Sequence, residues 1–511
     1  MDLSLRDMKV RDNRRLYSVL YALFVAGNFL LAPKLLVLNL VALVLGLIII
    51  NKLSWGSKTE LLYQFVLLFS VMDFTFNLPL MGRFNIYYLH IALFMLTLIL
   101  FTGYLKTYFK NRSEYPIKRL FKHKYLLFLV IFIVYMVLSL TWAQNIKLGI
   151  KYMINYAIMI CFLIAVYHFN RTPKQMKDSL KILLYSALIV LFIGLIEMTG
   201  IRILQVRNIF IDMGWYVKGP QYLQTIPTVF FYNPNNYATY LVMLMSFIIP
   251  LIAFVKKSGL KWPLLVIQLV ILWSLICSTS RTGWLTMMLT LVGFMLFFAF
   301  NREKAKALSS VKVGLLTLVI FYTLSMVPAM DVYYGKFNDT PIFNYLTFGK
   351  KNINQPLFSF GEEGSTNQRY TIIVDIVKGV FVEGHIQGFG VANTQLYLAS
   401  QGNTFGIVNP HSLWFEVLGD FGAFIFLYLI FIYLNMLWDL LKLYLESKKR
   451  ASYGFSAYLA VSLFAALGGF ILTAFAPSSV ISFTQMWLLY GLVVVFINRQ
   501  KEFLKEETFI S

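Results

Sequence analysis

At 511 residues, 59% hydrophobic and only 13% charged, with a mean hydropathy of +0.70, the chain is far more apolar than a soluble domain, which is about half apolar and about a quarter charged. Its net charge of +22 comes from 45 Lys and Arg against 23 Asp and Glu, but no continuous soluble stretch remains to form a nucleic-acid groove or recognition helix, so basic loops at a membrane explain the charge better. Both cysteines, Cys161 and Cys277, lie inside apolar runs, which argues against a disulfide framework or a zinc site.

The basic start, with Arg6, Lys9, Arg11, Arg14 and Arg15, precedes an apolar segment without a convincing cleavage site and reads as a retained cytoplasmic N-terminus. Apolar runs of about the 20 residues needed to span a bilayer follow near 16–32, 35–50, 61–80, 86–105, 125–142, 149–169, 180–199, 236–255, 262–279, 284–300, 312–329, 412–438, 454–475 and 480–497. The fold class is therefore an all-α polytopic membrane protein of twelve to fourteen transmembrane helices, fourteen on this count. Basic residues collect in alternate loops, among them Lys106 to Lys124, Arg171 to Lys181, Lys256 to Lys261, Arg302 to Lys312 and Lys442 to Arg450. Short cytoplasmic loops collect Lys and Arg, so both termini are expected inside. Helices 1–11 then occupy 1–329, a large extracytoplasmic loop 330–411, helices 12–14 412–497, and a cytoplasmic tail 498–511.

The 330–411 loop is rich in Gly, Asn, Gln and aromatics; its pattern predicts a helix over 367–380 and turns at Gly361-Glu362-Glu363-Gly364 and Gly388-Phe389-Gly390. A loop this long is functional or disordered, and its apolar residues favour an ordered cap on the bilayer.

Three polar motifs fall on the loop's side of the membrane, each where a spanning helix starts: Phe231-Tyr232-Asn233-Pro234-Asn235-Asn236, Ser278-Thr279-Ser280-Arg281-Thr282-Gly283, and Asn409-Pro410-His411-Ser412. Helix N-termini present unpaired N–H groups and a positive dipole end, which favour anions. Any one of these motifs is also an ordinary helix cap; three together, with Arg281 at the membrane edge, favour a phosphate site. Asn409 as cap and Pro410 at the first position place His411 in the first turn of its helix. There the dipole favours the neutral imidazole, which can accept a proton. Ser412, Glu416 and Asp420 recur every four residues and share a face; Glu416 is open between orienting His411, binding a sugar and being satisfied by other helices. Arg369, opening the predicted loop helix, has the fork that suits phosphate. His385 reads as a surface residue, and the adjacent Glu362 and Glu363 are weak evidence for a cation site. No Walker, dinucleotide or zinc-protease motif is present.

With these residues the sequence resembles the superfamily of O-antigen ligases and O-antigen-type polysaccharide polymerases. The matching motifs are Phe231 to Ala238, Ser280 to Leu285, Arg369 with Gly388-Phe389-Gly390, and Asn409-Pro410-His411-Ser412 on to Glu416, Gly419 and Gly422. They cover about 225–430. The resemblance implies a metal-independent glycosyltransferase of the bacterial cytoplasmic membrane, without a cofactor. It would move a glycan from an undecaprenyl-diphosphate carrier to an acceptor glycan at the outer face, in capsule, exopolysaccharide, teichuronic-acid-like or O-antigen synthesis. Arg281 and Arg369 would bind the diphosphate and His411 would activate the acceptor hydroxyl, with Asn233, Asn235, Asn236, Ser280, Ser412 and Glu416 binding substrate. The expected partners are the lipid-linked oligosaccharide, the acceptor, the bilayer and other polysaccharide-export proteins. A polymerase, whose acceptor is another lipid-linked repeat unit, is the preferred reading. A ligase acting on a lipid, wall polymer or protein is the alternative, and a flippase of the same glycan a third, which would require internal repeats and midplane charges.

Overall fold

The computed structural model describes residues 18–19, 21–22, 44–48, 58–72, 77–80, 84–110, 123–202, 207–338, 358–450, 454–477 and 481–505. The expected spans at 16–32 and 35–50 lie largely outside these residues; the other twelve each fall on a described helix. In order these are α1 (Lys58–Val71), α2 (Tyr88–Lys110), α3 (Lys124–Leu138), α4 (Ile146–Phe169), α5 (Pro173–Glu197), α6 (Pro234–Phe254), α7 (Ser258–Cys277), α8 (Arg281–Phe300) and α9 (Lys304–Ser325). The loop contributes α10 (Ser365–Phe381) and α11 (Thr394–Gln401), and α12 (Leu413–Lys448), α13 (Phe455–Thr473) and α14 (Thr484–Asn498) follow. Nine of the described helices are long and apolar enough to cross a membrane, and α1, α2 and α14 contain shorter apolar stretches. The chain is a multi-pass helical membrane protein. Its described strands, β1 (Asn77–Leu80) and β2 (Phe84–Tyr87), form one antiparallel hairpin that leads into α2, with Asn77 opposite Tyr87.

The bundle is organised around α13, which packs against α6, α8 and α12. In the most apolar 18-residue stretch of each span, burial reaches 78% in α6 and 72% in α13 but only 22% in α3 and α9. The outer helices instead carry exposed Phe192, Trp262, Phe300, Leu427 and Phe431, apolar surface that a bilayer would cover. α13 runs opposite to its three neighbours, so its last turn meets their first turns. That is where the Asn233, Ser280 and Ser412 caps stand.

α12 is the longest of the described helices, 36 residues, and it is broken at Gly422 (φ 73°, ψ −175°), a conformation only glycine adopts without strain. At the break the loop supplies the missing partners: Phe389 N–H donates to the Gly419 carbonyl at 2.7 Å, Gly390 N–H to Asp420 at 3.0 Å, and Ala423 N–H to the Ile386 carbonyl at 2.9 Å. A Cβ on Gly388 would lie 2.5 Å from the Gly422 nitrogen. The turn expected at Gly388-Phe389-Gly390 is thus the clasp joining the loop to the membrane helix, and the helix expected at 367–380 is α10.

Candidate active site

Helix C-termini leave carbonyls without intrahelical partners and carry the negative end of the dipole. The end of α13 and the turn after it, Ile471 to Pro477, use these carbonyls to gather the site. Trp414 Nε1 donates to Ile471 at 3.0 Å, Thr239 Oγ1 to Thr473 at 3.5 Å, Leu413 N–H to Ala474 at 3.1 Å and Arg369 to Phe475 at 3.3 Å. The Pro477 backbone hydrogen-bonds His411. One short segment therefore holds the starts of α6 and α12, the loop arginine and the histidine.

Arg281 is the first residue of α8, and its guanidinium donates to Ser365 Oγ, the first residue of α10, at 3.0 Å. Arg369 follows one turn later on α10. Burial, and then the neighbouring charge of Arg281, push the Arg369 guanidinium down from its ordinary value to about 10. Among the described residues Arg369 makes no ion pair with a carboxylate. Two like charges held this close repel, and an anion between them would relieve both the repulsion and the desolvation.

His411 departs from the expected helical position. The helix begins at Leu413 with Ser412 as N-cap, and His411 sits before it in a left-handed conformation (φ 50°) while its N–H bonds Asn409 Oδ1 at 3.0 Å. The imidazole is kept neutral for a different reason from the expected dipole. Burial, then the Arg369 charge, lower its pKa to about 4, and the hydrogen bond with the Pro477 backbone offsets part of the shift. Nδ1 is buried and has no hydrogen-bond partner among the described residues. In the tautomer that carries its proton on the other ring nitrogen, toward the Pro477 backbone, Nδ1 presents a lone pair, as a proton acceptor must. Ser412 Oγ beside it is also buried and unpartnered, and it does not cap its own helix.

The other sequence-selected residues divide into supports and surface. Asn233 caps α6, accepting from Asn236 N–H at 2.9 Å, with Pro234 at the first position as expected. Both asparagines are buried, whereas Asn235 is partly exposed, and its carbonyl accepts from Thr239 Oγ1 at 2.9 Å. Ser280 caps α8, accepting from Gly283 N–H at 3.3 Å. Glu416 is buried on α12 within electrostatic range of the Tyr152 and Tyr156 hydroxyls of α4. Asp420 is structural: its carboxylate accepts from Ala392 N–H at 2.7 Å and from Thr394 N–H and Oγ1 at 3.2 and 2.6 Å. His385 is exposed and packs on Phe389, and Glu362 and Glu363 are exposed in the turn before α10.

Sequence reasoning missed the Ile471–Pro477 turn, because backbone acceptors carry no side-chain signature. It also missed a buried bracket under the Asn233 motif. Glu197 accepts from Thr228 and Val229 N–H at 2.9 and 2.8 Å and pairs with Arg202 at 2.8 Å. This holds Val229, a β-branched residue, at φ 51°. A charged pair ending an otherwise apolar run was the available signal.

Residues 264–430 match the O-antigen ligase family. That window covers about a third of the chain and is where the chain is similar to the O-antigen ligases. It is also similar to the teichuronic acid biosynthesis protein TuaE of Bacillus subtilis (strain 168), with 23% identity over 375 residues, 73% of this chain and 71% of that protein. The matched window contains Ser280, Arg281, Arg369, His411, Ser412 and Glu416 but not the Asn233 cap or α13, so the geometry draws in two elements from outside it.

Proposed function

We propose that the chain is a polysaccharide polymerase. It transfers a glycan from an undecaprenyl-diphosphate carrier to a sugar hydroxyl of another lipid-linked unit, at the outer face of a bacterial cytoplasmic membrane. The observation that carries this reading is the convergence of Arg281 and Arg369 beside a half-buried histidine whose Nδ1 has no hydrogen-bond partner among the described residues. His411 Nδ1 takes the acceptor hydroxyl proton as the oxygen forms its bond to the anomeric carbon. The bond from that carbon to the diphosphate breaks, its electron pair stays on the phosphate oxygen, and the two guanidiniums stabilise the charge that develops there. Two fixed cations supply this stabilisation without a metal, so transfer persists in a chelator. A lipid-linked donor is also supported by an apolar groove of about 160 Å³ between α8 and α13, lined by Thr286, Gly293, Gly468 and Leu472, whose upper end lies just below Arg281.

We assign the site end of the bundle to the outside because Lys and Arg collect at the other end; on that reading both termini lie inside. The deciding experiment gives purified protein in liposomes only lipid-linked repeat units. A ladder of longer products supports the polymerase, whereas transfer that needs a second, different acceptor overturns it in favour of a ligase, the activity for which the matched family is named. A flippase would translocate the glycan with His411→Ala in place; the proposed enzyme loses transfer.

A further inference from the structure

α5 packs against α1 and α7, and between it and α6, α13 and α14 lies a cavity of about 190 Å³. Its walls are apolar, with Leu184 from α5, Leu244, Phe247 and Leu251 from α6, and Leu488 and Leu492 from α14. The deep polar side chain, Gln485, already donates to the Ser70 carbonyl at 3.1 Å. On α6 the lining runs from Tyr240 to Leu251, which at the helical rise is about 16 Å, or about half of a 30 Å hydrocarbon core. The cavity is one leaflet deep.

Its mouth is at the lysine-rich end of the bundle, where α5 and α13 begin. Lys177 and Lys181 line it; Lys177 Nζ lies 4.9 Å from the Phe455 ring centre, and Lys181 pairs with Asp178 at 3.1 Å while remaining 53% exposed. Two cations against one carboxylate leave the rim positive, and lysines with apolar stems and solvated heads suit a bilayer interface. Arg281, Arg369 and His411 lie at the opposite end of the bundle, so this is no part of the donor site.

We propose that the cavity is a binding site for an anionic phospholipid of the leaflet at the lysine-rich end, with one acyl chain in the cavity and the phosphate against Lys177 and Lys181. An apolar, leaflet-deep slot suits an acyl chain, and a positive rim selects an anionic head over a zwitterionic one. Juxtamembrane lysines each favour anionic lipid by about 1 kcal/mol, about fivefold per residue.

The test reconstitutes the full chain with phosphatidylglycerol or phosphatidylcholine bearing a nitroxide near the end of one acyl chain, and measures the immobilised lipid by electron paramagnetic resonance. Phosphatidylglycerol is expected to be immobilised in preference. Lys177→Ala with Lys181→Ala should lower that preference at least about fivefold, and Leu184→Trp, which fills the slot, should remove the tightly immobilised component. Equal immobilisation of the two lipids by the wild-type chain overturns the proposal, as does a preference untouched by the double alanine variant. If Leu184→Trp does not fold, the lysine variant decides alone, since its side chains sit at the rim. The readout is lipid binding, so failure of the glycan-transfer reading leaves it intact.

Discussion

Two clusters of charge stand at opposite ends of the bundle, and they differ in what balances them. At the lysine-rich end Glu303 is held between cations, with Lys306 at 2.7 Å and Lys448 at 3.8 Å, and it accepts from the Tyr444 hydroxyl at 2.6 Å. That cluster ties the α8–α9 turn to the end of α12 around a carboxylate of the chain's own. At the site end Arg281 and Arg369 come together, Arg369 donates to the neutral Phe475 carbonyl and pairs with no carboxylate among the described residues, and a neutral His411 lies alongside. The first cluster is a staple. The second has the charge that the proposed donor diphosphate would meet.

The comparison breaks most sharply on His411→Ala. Losing a positioned base is expected to lower kcat by about 10²–10⁴ while the melting temperature in detergent stays close to wild type. Wild-type turnover would remove His411 from the chemistry. Arg281→Ala and Arg369→Ala come next, with losses of about 10²–10³ in kcat/KM, the size seen when one group stabilising developing charge is removed. Arg→Lys at either position should fall between, since lysine keeps the charge but loses the fork. Alanine variants as active as wild type would defeat the clamp.

The staple is expected to behave in the opposite way. Glu303→Ala leaves Lys306 largely buried beside Phe254 without its carboxylate, a loss of about 3 kcal/mol when a buried pair is broken. Thermal stability should drop while transfer per folded molecule is kept. A Glu303→Ala variant that is stable but inactive would mean that the two ends are coupled.

Much of the fold was legible because the bilayer imposes length and apolarity on each span, and twelve of the fourteen runs fall on described helices. The caps at Asn233 and Ser280 were legible because capping is local chemistry. The position of His411 was not. Asn409-Pro410 reads as a helix start, but Asn409 spends its side chain on the His411 N–H and the helix waits until Leu413. The meeting of Arg281 with Arg369 was suggested only by the family resemblance, since nothing local in the sequence says that α10 folds back over α8. The Gly422 break could be suspected from the glycine, but its cause lies in the loop backbone that fills it.

The smallest expected effect separates the two reasons His411 is neutral. In the free protein burial and the Arg369 charge hold its pKa near 4, so kcat/KM, which reports the free enzyme, should stay level down to about pH 5 and fall near pH 4 as the imidazole gains a proton. A bound diphosphate places negative charge beside Arg369 and cancels part of that repulsion. The imidazole pKa in the complex then rises, and the acid limb of kcat, which reports the complex, should lie about one unit above that of kcat/KM. In Arg369→Lys the cation remains and the gap should survive; in Arg369→Ala the free-enzyme limb itself should move up and the gap should narrow. Coincident limbs in the wild-type enzyme would mean that the anion does not reach the neighbourhood of His411, and the unbalanced cluster would need another ligand.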